Sequence, residues 1–347
     1  MPFFHIRKDI GVDLGTANSL IYVERQGILV NEPSFAAFNT KTNKILAVGD
    51  AAKKMLNRTP DHIKVTRPLI AGVISDFEMT EEMLTHFLKR IPYSQFTWGY
   101  RRGILAIPNG LTEVERKSVE DAVISAGCSK VFLVESPVVA ALGAGLPVLN
   151  PTASLIVDIG GGTTDIAVIS MGGSVVSKTL KVAGDKLNQD IIKFVRGEFG
   201  LVIGEPTAEF AKIAVGSAIA PSERLEAPLR GRDAATGLPR EIVIKNSHVR
   251  AAIAKSLKEI IEALKEVVSA TPPELVGDML QQGIYLCGGG ALLRGLDILL
   301  EKETTVKVKI ADDPLTCVAR GLGEIVDNFT IYHELLDNPL KPISIQL

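Results

Sequence analysis

Two stretches of the chain repeat the same order of apolar and turn-forming positions. Residues 155–169 read LIVDIGGGTTDIAVI, in which an apolar run, an Asp, three glycines and two threonines precede a second apolar run. Residues 9–23, DIGVDLGTANSLIYV, repeat this order, with Asp13 in the place of Asp158. Each copy predicts a strand, a tight turn and a second strand. Two copies at the head of two halves predict a duplicated α/β domain.

Further strands and helices are predicted around the first copy. Apolar runs predict strands at 28–30, 35–38, 104–108 and 131–134, and helical spacing predicts helices at 50–56, after Thr80, from 113 to 126 and at 138–145. Thr80 is a predicted N-cap, and Thr112 with Glu115 forms a predicted capping box. The alternating order predicts a partly parallel sheet, and the turn-rich residues 39–75 predict an inserted subdomain.

The second half contains a third glycine turn. Helices are predicted at 187–199, 207–218, 251–269 and 316–326, and a strand at 306–310. Residues 221–249 are strand-like and rich in turns, which predicts a second inserted subdomain. At 284–295 an apolar run enters Gly288, Gly289 and Gly290 and is predicted to continue directly into a helix. Such a helix start offers free N–H groups to an anion or lets a flat base and ribose lie against the backbone. Beyond residue 327 a loosely attached tail is predicted.

Composition narrows the class of protein. The chain has 347 residues, of which 46% are hydrophobic and 22% charged, and these values exclude disordered and fibrous proteins. A formal net charge of −2, without a Lys/Arg run longer than a pair, gives no reason to expect nucleic acid as a partner. Cys128, Cys287 and Cys317 predict buried free thiols in a reducing, cytoplasmic compartment. No apolar run is long enough to predict a membrane span.

The turns of the repeated pattern have the chemistry of a phosphate site. Glycine lets backbone N–H groups approach an anion closely. The hydroxyls of Thr163 and Thr164 can donate to phosphate oxygens, and Asp158 can hold a hydrated Mg²⁺. A single turn of this kind is more typical of a plain hairpin. Its repetition at Asp13 to Thr16 therefore predicts a nucleotide held between the two halves.

Two aromatic segments are candidates for contact with a membrane or a partner. Phe3 and Phe4 lie beside basic residues at the N-terminus, and Phe96 and Trp98 lie in a predicted loop that also carries Tyr93 and Tyr100. Amphipathic rings of this kind suit the headgroup boundary of a bilayer. The alternatives are a frayed terminus for the first segment and a lid folded on the core for the second.

Taken together, these motifs resemble a known group of proteins. The two phosphate loops, Gly288 to Ala291 and the segments at 66–69, 72–77 and 145–147 resemble the actin/chaperone/sugar-kinase superfamily, and within it they closely resemble the MreB family of bacterial actins. The resemblance covers residues 8–326. It implies an α/β actin-like fold, with duplicated ribonuclease-H-like domains around a central nucleotide cleft, each with a smaller inserted subdomain. The implied boundaries are 1–31 and 76–150 for subdomain IA, 32–75 for IB, 151–186 and 250–330 for IIA, 187–249 for IIB and 331–347 for the tail.

The resemblance also implies a set of site residues for ATP or ADP with Mg²⁺. The implied nucleotide-binding residues are Asp13, Gly15, Thr16, Ala17, Asn18, Gly160, Gly161, Gly162, Thr163, Gly184, Asp185, Glu209, Lys212, Gly288, Gly289, Gly290 and Ala291. Asp13 and Asp158 would lie near the metal, through water. Glu209 and Lys212 would flank the adenosine, although their spacing alone is equally typical of a surface ion pair. The aromatic loop falls where the family has a membrane-inserting loop, which favours Phe96 and Trp98, together with Phe3 and Phe4, as membrane contacts.

The chain departs from the family pattern at two positions. Where the family has a Glu-Pro step whose Glu orients the attacking water, this chain has Ser136-Pro137, with Glu135 one residue earlier. Serine is a poor general base, and adjacent residues rarely point the same way. The catalytic candidates are therefore Thr163, Ser136 and Glu135, and the rate of ATP hydrolysis is left open. The family also usually has a Glu two residues after the Lys that corresponds to Lys212, where this chain has Ala214.

The resemblance implies an ATP-binding cytoskeletal protein that forms membrane-associated filaments and directs rod cell shape and wall synthesis. The resemblance implies self-assembly into antiparallel double protofilaments, a peripheral location on the cytoplasmic face of the inner membrane, and cell-wall elongation proteins as partners. One alternative is a hydrolysis-deficient scaffold, which Ser136 favours. A phosphotransferase of the superfamily would need a carboxylate base at a small-substrate pocket, and a chaperone ATPase would need a substrate-binding domain after residue 330.

Overall fold

Both copies of the repeated pattern form an antiparallel pair of strands inside a five-stranded sheet. The computed structural model describes residues 7–42, 44–91 and 99–336. The two sheets belong to separate units, one formed by Met1–Pro147 with Thr316–Leu347 and the other by Val148–Leu315. The duplicated α/β organisation predicted from the sequence repeat is thereby confirmed.

The first unit is built around a mixed sheet. Its strands are β1 (Ile10–Leu14), β2 (Asn18–Val23), β3 (Gly27–Pro33), β4 (Ala36–Asn39), β5 (Lys44–Val48), β6 (Ile63–Thr66), β7 (Leu69–Ile70), β8 (Val73–Ile74), β9 (Tyr100–Ile107) and β10 (Cys128–Glu135), and its first helices are α1 (Asp50–Met55), α2 (Phe77–Lys89), α3 (Glu113–Ser125) and α4 (Ser136–Gly143). The main sheet has the order β10-β9-β1-β2-β3, and β1, β9 and β10 run parallel. Strands β4, β5 and β6 form a separate sheet.

The second unit repeats this plan. Its strands are β11 (Ser154–Ile159), β12 (Thr164–Ser170), β13 (Gly173–Leu180), β14 (Leu201–Val202), β15 (Glu226–Asp233), β16 (Pro239–Lys245), β17 (Ile284–Cys287) and β18 (Val308–Ile310), and its helices are α5 (Gly184–Phe199), α6 (Glu205–Val215), α7 (Asn246–Ala270), α8 (Pro273–Gln282) and α9 (Leu296–Thr304). The main sheet has the order β13-β12-β11-β17-β18, with β11, β17 and β18 parallel. Strands β14, β15 and β16 form a smaller sheet.

The chain returns to the first unit with α10 (Cys317–Asp327) and the short α11 (Phe329–Tyr332). Helix α10 packs on α4 and on β1 and β2. The two helices approach through glycine, because a Cβ at position 143 would overlap the carbonyl oxygen of Cys317. This placement differs from the predicted boundaries, which assign residues up to 330 to the second half.

Two predicted helix starts are wrong. Helix α2 begins at Phe77 because the Asp76 carboxylate accepts a hydrogen bond from the Met79 N–H at 3.0 Å, so Asp76 is the N-cap. Thr80 lies inside the helix and donates to the Asp76 carbonyl oxygen. Helix α7 begins at Asn246, five residues before the predicted start, because buried Val249 extends its apolar face and the Asn246 side chain donates to the Glu223 carbonyl oxygen. The capping box of Thr112 and Glu115 is confirmed at the start of α3.

The interior of each unit is an apolar core between its main sheet and its helices. All three cysteines are buried free thiols, as predicted. Among the helices of the described ranges, none combines the length and hydrophobicity needed to cross a bilayer.

Candidate functional site

The first glycine loop, between β1 and β2, is held from one side by a serine. The Ser34 hydroxyl donates to the Gly15 carbonyl oxygen at 2.6 Å, and the Ser34 N–H donates to the Ala17 carbonyl oxygen at 2.9 Å. The peptide bonds are trans, so each N–H points opposite to the carbonyl of the same peptide unit. The N–H groups of Thr16 and Asn18 therefore point away from Ser34.

Thr16 links this loop to the turn between β7 and β8. Its buried hydroxyl oxygen accepts a hydrogen bond from the Gly72 N–H at 3.0 Å. Because a hydroxyl has one hydrogen and two lone pairs, the Thr16 hydrogen is still able to donate to another acceptor. Asn18, at the other end of the loop, is exposed and donates through its side-chain amide to Asn31. The loop thus combines outward N–H groups with a hydroxyl donor.

In the second glycine loop, between β11 and β12, the carbonyl oxygens are also held by hydrogen bonds from one side, but the donors come from a helix. The Gly160 carbonyl oxygen accepts from the Gly184 N–H at 3.1 Å, and the Gly161 carbonyl oxygen accepts from the Asp185 N–H at 2.8 Å. Both donors belong to the first turn of α5. The N–H groups of Gly161 and Gly162 are consequently directed away from α5.

The outward N–H groups of the two loops have no internal partner. Across residues 7–42, 44–91 and 99–336, no backbone or side-chain acceptor receives the N–H groups of Thr16, Gly161 or Gly162. Adjacent N–H groups of this kind form an anion-binding concavity. These loops are therefore suited to phosphate oxygens.

Lys212 is linked to the second loop indirectly, through a hydrogen bond to the first residue of α5. Its ammonium group, on α6, donates to the Gly184 carbonyl oxygen at 3.0 Å. Gly184 in turn holds the loop, so Lys212 is part of this assembly rather than a residue of an isolated surface ion pair. Glu209 lies one turn earlier on α6 and is half-buried. The contact of either residue with adenosine stays a prediction.

The third glycine turn lies against the second loop. Gly288 has a φ of 76°, and a Cβ there would overlap Asp158 Oδ1 and the Ile159 carbonyl oxygen. Gly290 is in close contact with the Ile159 side chain. The predicted direct entry into a helix is wrong, because residues Gly289–Leu292, including the buried Ala291, form a 3₁₀ turn and α9 begins only at Leu296.

Asp13 and Asp158 are each the penultimate residue of a central strand that leads into a glycine loop. Both side chains are half-buried, and burial raises the pKa of Asp13 to about 7. Carboxylate oxygens fit Mg²⁺, and a nearby cation would favour the ionised form of Asp13. The described part of the chain contains no group of three or more His, Cys, Asp or Glu side chains placed to hold a metal. A Mg²⁺ ion here would therefore depend largely on phosphate and water ligands.

Asp165 is a buried residue that sequence reasoning missed. It lies in β12 directly opposite Asp158, and its carboxylate accepts from the Thr163 hydroxyl at 3.1 Å and the Thr179 hydroxyl at 2.5 Å. Burial raises its pKa. Because Thr163 donates its one hydroxyl hydrogen to Asp165, its oxygen can act toward a further group only as an acceptor. The antiparallel register with Asp158 is the signal that identifies Asp165.

The remaining catalytic candidates lie at the carboxyl end of β10. Glu135 is its last residue, opposite Ile107 of β9, while Asp13 is opposite the preceding Ala106. Glu135 and Asp13 therefore share one edge of the sheet, two strands or about 10 Å apart. Ser136 is the first residue of α4 and is half-buried. The catalytic roles of Glu135 and Ser136 stay predictions.

The predicted membrane contacts Phe3, Phe4, Phe96 and Trp98 lie outside the described residues. Among the described residues that follow these two segments in the sequence, Asp9, Arg101 and Arg102 form a charged cluster. Asp9 is fully buried and accepts from Arg101 and Arg102. This cluster joins the starts of β1 and β9.

Comparison with known proteins identifies the family. A family model described as MreB/Mbl protein matches residues 7–334. The chain belongs to the MreB/Mbl family. It is 46% identical over 321 residues to cell shape-determining protein Mbl of Bacillus subtilis, covering 92% of this chain and 96% of that protein. It is 45% identical over 323 residues to cell shape-determining protein MreB of Escherichia coli K12, covering 92% and 93%.

Solved structures agree with this assignment. The crystal structure of MreB5 of Spiroplasma citri bound to AMPPNP has a TM-score of 0.90 and 40% identity, covering 95% of this chain and 98% of that one. A MamK double helical filament gives a TM-score of 0.77 at 23% identity, covering 93% and 99%, and supports the fold alone. The actin-like fold and the resemblance to the MreB family are confirmed.

Proposed function

We propose that this MreB/Mbl protein binds ATP through its glycine loops and assembles into filaments that act in cell shape. The observation that carries ATP binding is the set of outward, unpartnered N–H groups at Thr16, Gly161 and Gly162. Nucleotide binding by a relative supports it, since structures of Spiroplasma citri MreB5 are described as bound to AMPPNP and to ADP. Membership of a family whose relatives are named cell shape-determining supports the cellular role.

Each part of the site has a distinct task in this proposal. The loop N–H groups and the Thr16 hydroxyl donate to phosphate oxygens, which favours the charged ligand without a lysine in either loop. Asp13 and Asp158 would hold Mg²⁺ through water, and the metal would supply positive charge beside the phosphates. Lys212 and Glu209 contact the adenosine, with the turn from Gly288 to Ala291 on its other side.

Hydrolysis is proposed to be slow. Thr163 presents an oxygen that can accept from an attacking water, because its hydrogen is donated to Asp165. Ser136 stands where the family has Glu, and its hydroxyl is a weak base. A hydrolysis-deficient scaffold is the second candidate function, and Ser136 favours it.

Ser136→Glu is expected to raise phosphate release at least tenfold, because it restores a carboxylate at the start of α4. The rate is measured under saturating ATP by a coupled phosphate assay, with Ser136→Gln as the matched control. Gln has nearly the same shape without the basic oxygens, so its rate should stay near that of the unaltered protein. Rapid phosphate release by the unaltered protein would contradict the idea of impaired turnover.

Electron microscopy with ATP, ADP or no nucleotide tests assembly directly. Filaments that appear with ATP and not without nucleotide are the expected result, and preparations with liposomes should show them lying on the membrane. A soluble monomer that transfers phosphate to a small molecule would instead indicate a phosphotransferase. Antiparallel double protofilaments, the inner membrane and cell-wall elongation proteins are proposed from family membership.

Membrane association is proposed to depend on the aromatic loop and the N-terminus. Phe96→Ala combined with Trp98→Ala should reduce co-sedimentation with liposomes several-fold, since large amphipathic rings partition into the headgroup boundary of a bilayer. Leu238→Ala is the control, because Leu238 is exposed to 65% in the second unit and has no proposed membrane role. Unchanged pelleting of the double variant would count against the loop, and a matching loss from deletion of Phe3 and Phe4 would shift the contact to the N-terminus.

A further inference from the structure

Ser34 is a buried residue in direct contact with the first phosphate loop, and sequence reasoning did not select it. It lies between β3 and β4, is fully buried, and bonds the loop twice, through its hydroxyl to Gly15 and through its N–H to Ala17. A single residue thereby fixes the carbonyl oxygens at both ends of the loop. No side chain fits at Gly15, since a Cβ there would lie 2.5 Å from the Asn18 carbonyl oxygen.

The direction of the hydroxyl hydrogen bonds can be assigned. The Ser19 and Ser34 hydroxyl oxygens are 2.9 Å apart, and both residues are fully buried. Ser34 has one hydroxyl hydrogen and donates it to Gly15, whose carbonyl oxygen can only accept. Ser19 must then donate to Ser34. The result is a fixed chain of donors from Ser19 through Ser34 to the loop.

The two loops differ in the chain segments that hold their carbonyl oxygens. At the second loop, the first turn of α5 supplies the N–H donors to the Gly160 and Gly161 carbonyl oxygens. The donors to the Gly15 and Ala17 carbonyl oxygens of the first loop both come instead from Ser34. Ser34 therefore does at the first loop what a helix start does at the second.

We propose that Ser34 is a positioning residue that sets the phosphate-binding face of the first loop by holding its carbonyl oxygens away from the ligand. This inference rests on the proposed binding of ATP. Without the Ser34 hydroxyl, the Gly15–Thr16 peptide unit is free to rotate, and its carbonyl oxygen can then face the phosphate in place of the Thr16 N–H. An oxygen in that place repels the anion.

The test compares ligands that differ only in phosphate. ATP and ADP affinities are measured by calorimetry with Mg²⁺, and adenosine affinity by displacement of a fluorescent ATP analogue. Ser34→Ala is expected to weaken ATP binding about tenfold and ADP binding by a similar factor, with adenosine affinity changed less than twofold. Ser34→Cys, which has nearly the same shape but a weak S–H donor, should behave like Ser34→Ala and covers the case in which the alanine variant does not fold.

Thr80→Val is the matched control, because it removes a fully buried hydroxyl of the same unit that donates to the Asp76 carbonyl oxygen inside α2 and not to the loop or to Ser34. Its ATP affinity should stay within threefold of the unaltered protein. Equal losses for ATP and adenosine, equal losses in the Thr80 and Ser34 variants, or unaltered ATP affinity in a folded Ser34→Cys protein would each overturn the positioning role. Failure of the unaltered protein to bind ATP would overturn the proposed function itself, and with it this inference.

Discussion

Asp9→Asn is expected to lower the free energy of unfolding of the first unit by about 3 kcal/mol, the lower end of the range for breaking a buried ion pair. Asp9 is fully buried at the start of β1. Its carboxylate accepts from Arg101 Nη2 at 2.6 Å and from Arg102 Nε at 2.8 Å. An Asn side chain has nearly the same shape as Asp but is neutral. The Arg101 and Arg102 guanidinium groups would therefore lose the negative charge that they both contact.

The two arginines respond differently to this loss. The Arg101 side chain is 51% exposed and can be rehydrated, whereas that of Arg102 is only 19% exposed. The Arg102 guanidinium carbon also lies 3.5 Å from the centre of the Phe329 ring, so its position is fixed by packing. Most of the expected cost therefore comes from Arg102.

The effect of Asp9→Asn should depend on pH. Burial by itself would raise the pKa of Asp9, but hydrogen bonds and positive charge from Arg101 and Arg102 together outweigh burial and hold the pKa below its usual 3.8. A carboxyl whose pKa is lowered by folding stabilises the protein above its unfolded pKa, and the contribution is lost as the pH falls through the folded value. The difference between the two proteins should therefore be constant above about pH 5 and shrink below about pH 4.

Urea unfolding followed by far-ultraviolet circular dichroism measures this effect, because the strands and helices of the first unit contribute to the signal. The control is Asp50→Asn, which removes a surface ion pair to Lys54 with side chains 55% and 74% exposed. Such an exposed pair contributes little to stability, because both charges stay hydrated and are screened by salt. A stability loss for Asp9→Asn no larger than that of the control would contradict the role assigned to the cluster.

Gly143→Ala is expected to destabilise the first unit by about 3 kcal/mol, the upper part of the usual range for overpacking. A Cβ at this position would overlap the Cys317 carbonyl oxygen and lie 2.7 Å from the Gly321 backbone nitrogen. The neighbouring atoms are backbone, which cannot rotate aside as a side chain can. Helices α4 and α10 would have to separate, and Ser136 at the start of α4 would move with them.

The control for this variant is Gly197→Ala on α5. Gly197 is also inside a helix, but a Cβ there would have no atom within 4 Å. Alanine has a higher helix propensity than glycine, so this change should raise the free energy of unfolding by up to about 1 kcal/mol. Thermal unfolding of both variants checks the prediction. A Gly143→Ala protein as stable as the parent would show that α4 and α10 can adjust at no cost.

The sequence by itself determined the features that depend on neighbouring residues. The two strand–turn–strand copies, the capping box at Thr112 and Glu115, and the buried state of the cysteines all follow from local pattern and apolar context. These features can be predicted from the sequence because the hydrogen bonds of one turn and the alternation along one strand each involve residues only a few positions apart. The N-cap of α2 was predicted wrongly from local pattern, because Asp76 and not Thr80 caps this helix.

Only the tertiary structure decided which distant residues hold the site. Ser34, Asp165 and Gly72 contact the loops across turns and strand pairings, and no spacing rule assigns a buried Ser or Asp to a particular carbonyl or hydroxyl. The return of α10 to the first unit depends on backbone contact with α4 at Gly143, more than 170 positions before Cys317. The sequence determined that two loops have the chemistry to bind phosphate. The fold decided which way their N–H groups point, because peptide orientation is set by the partners of the carbonyl oxygens.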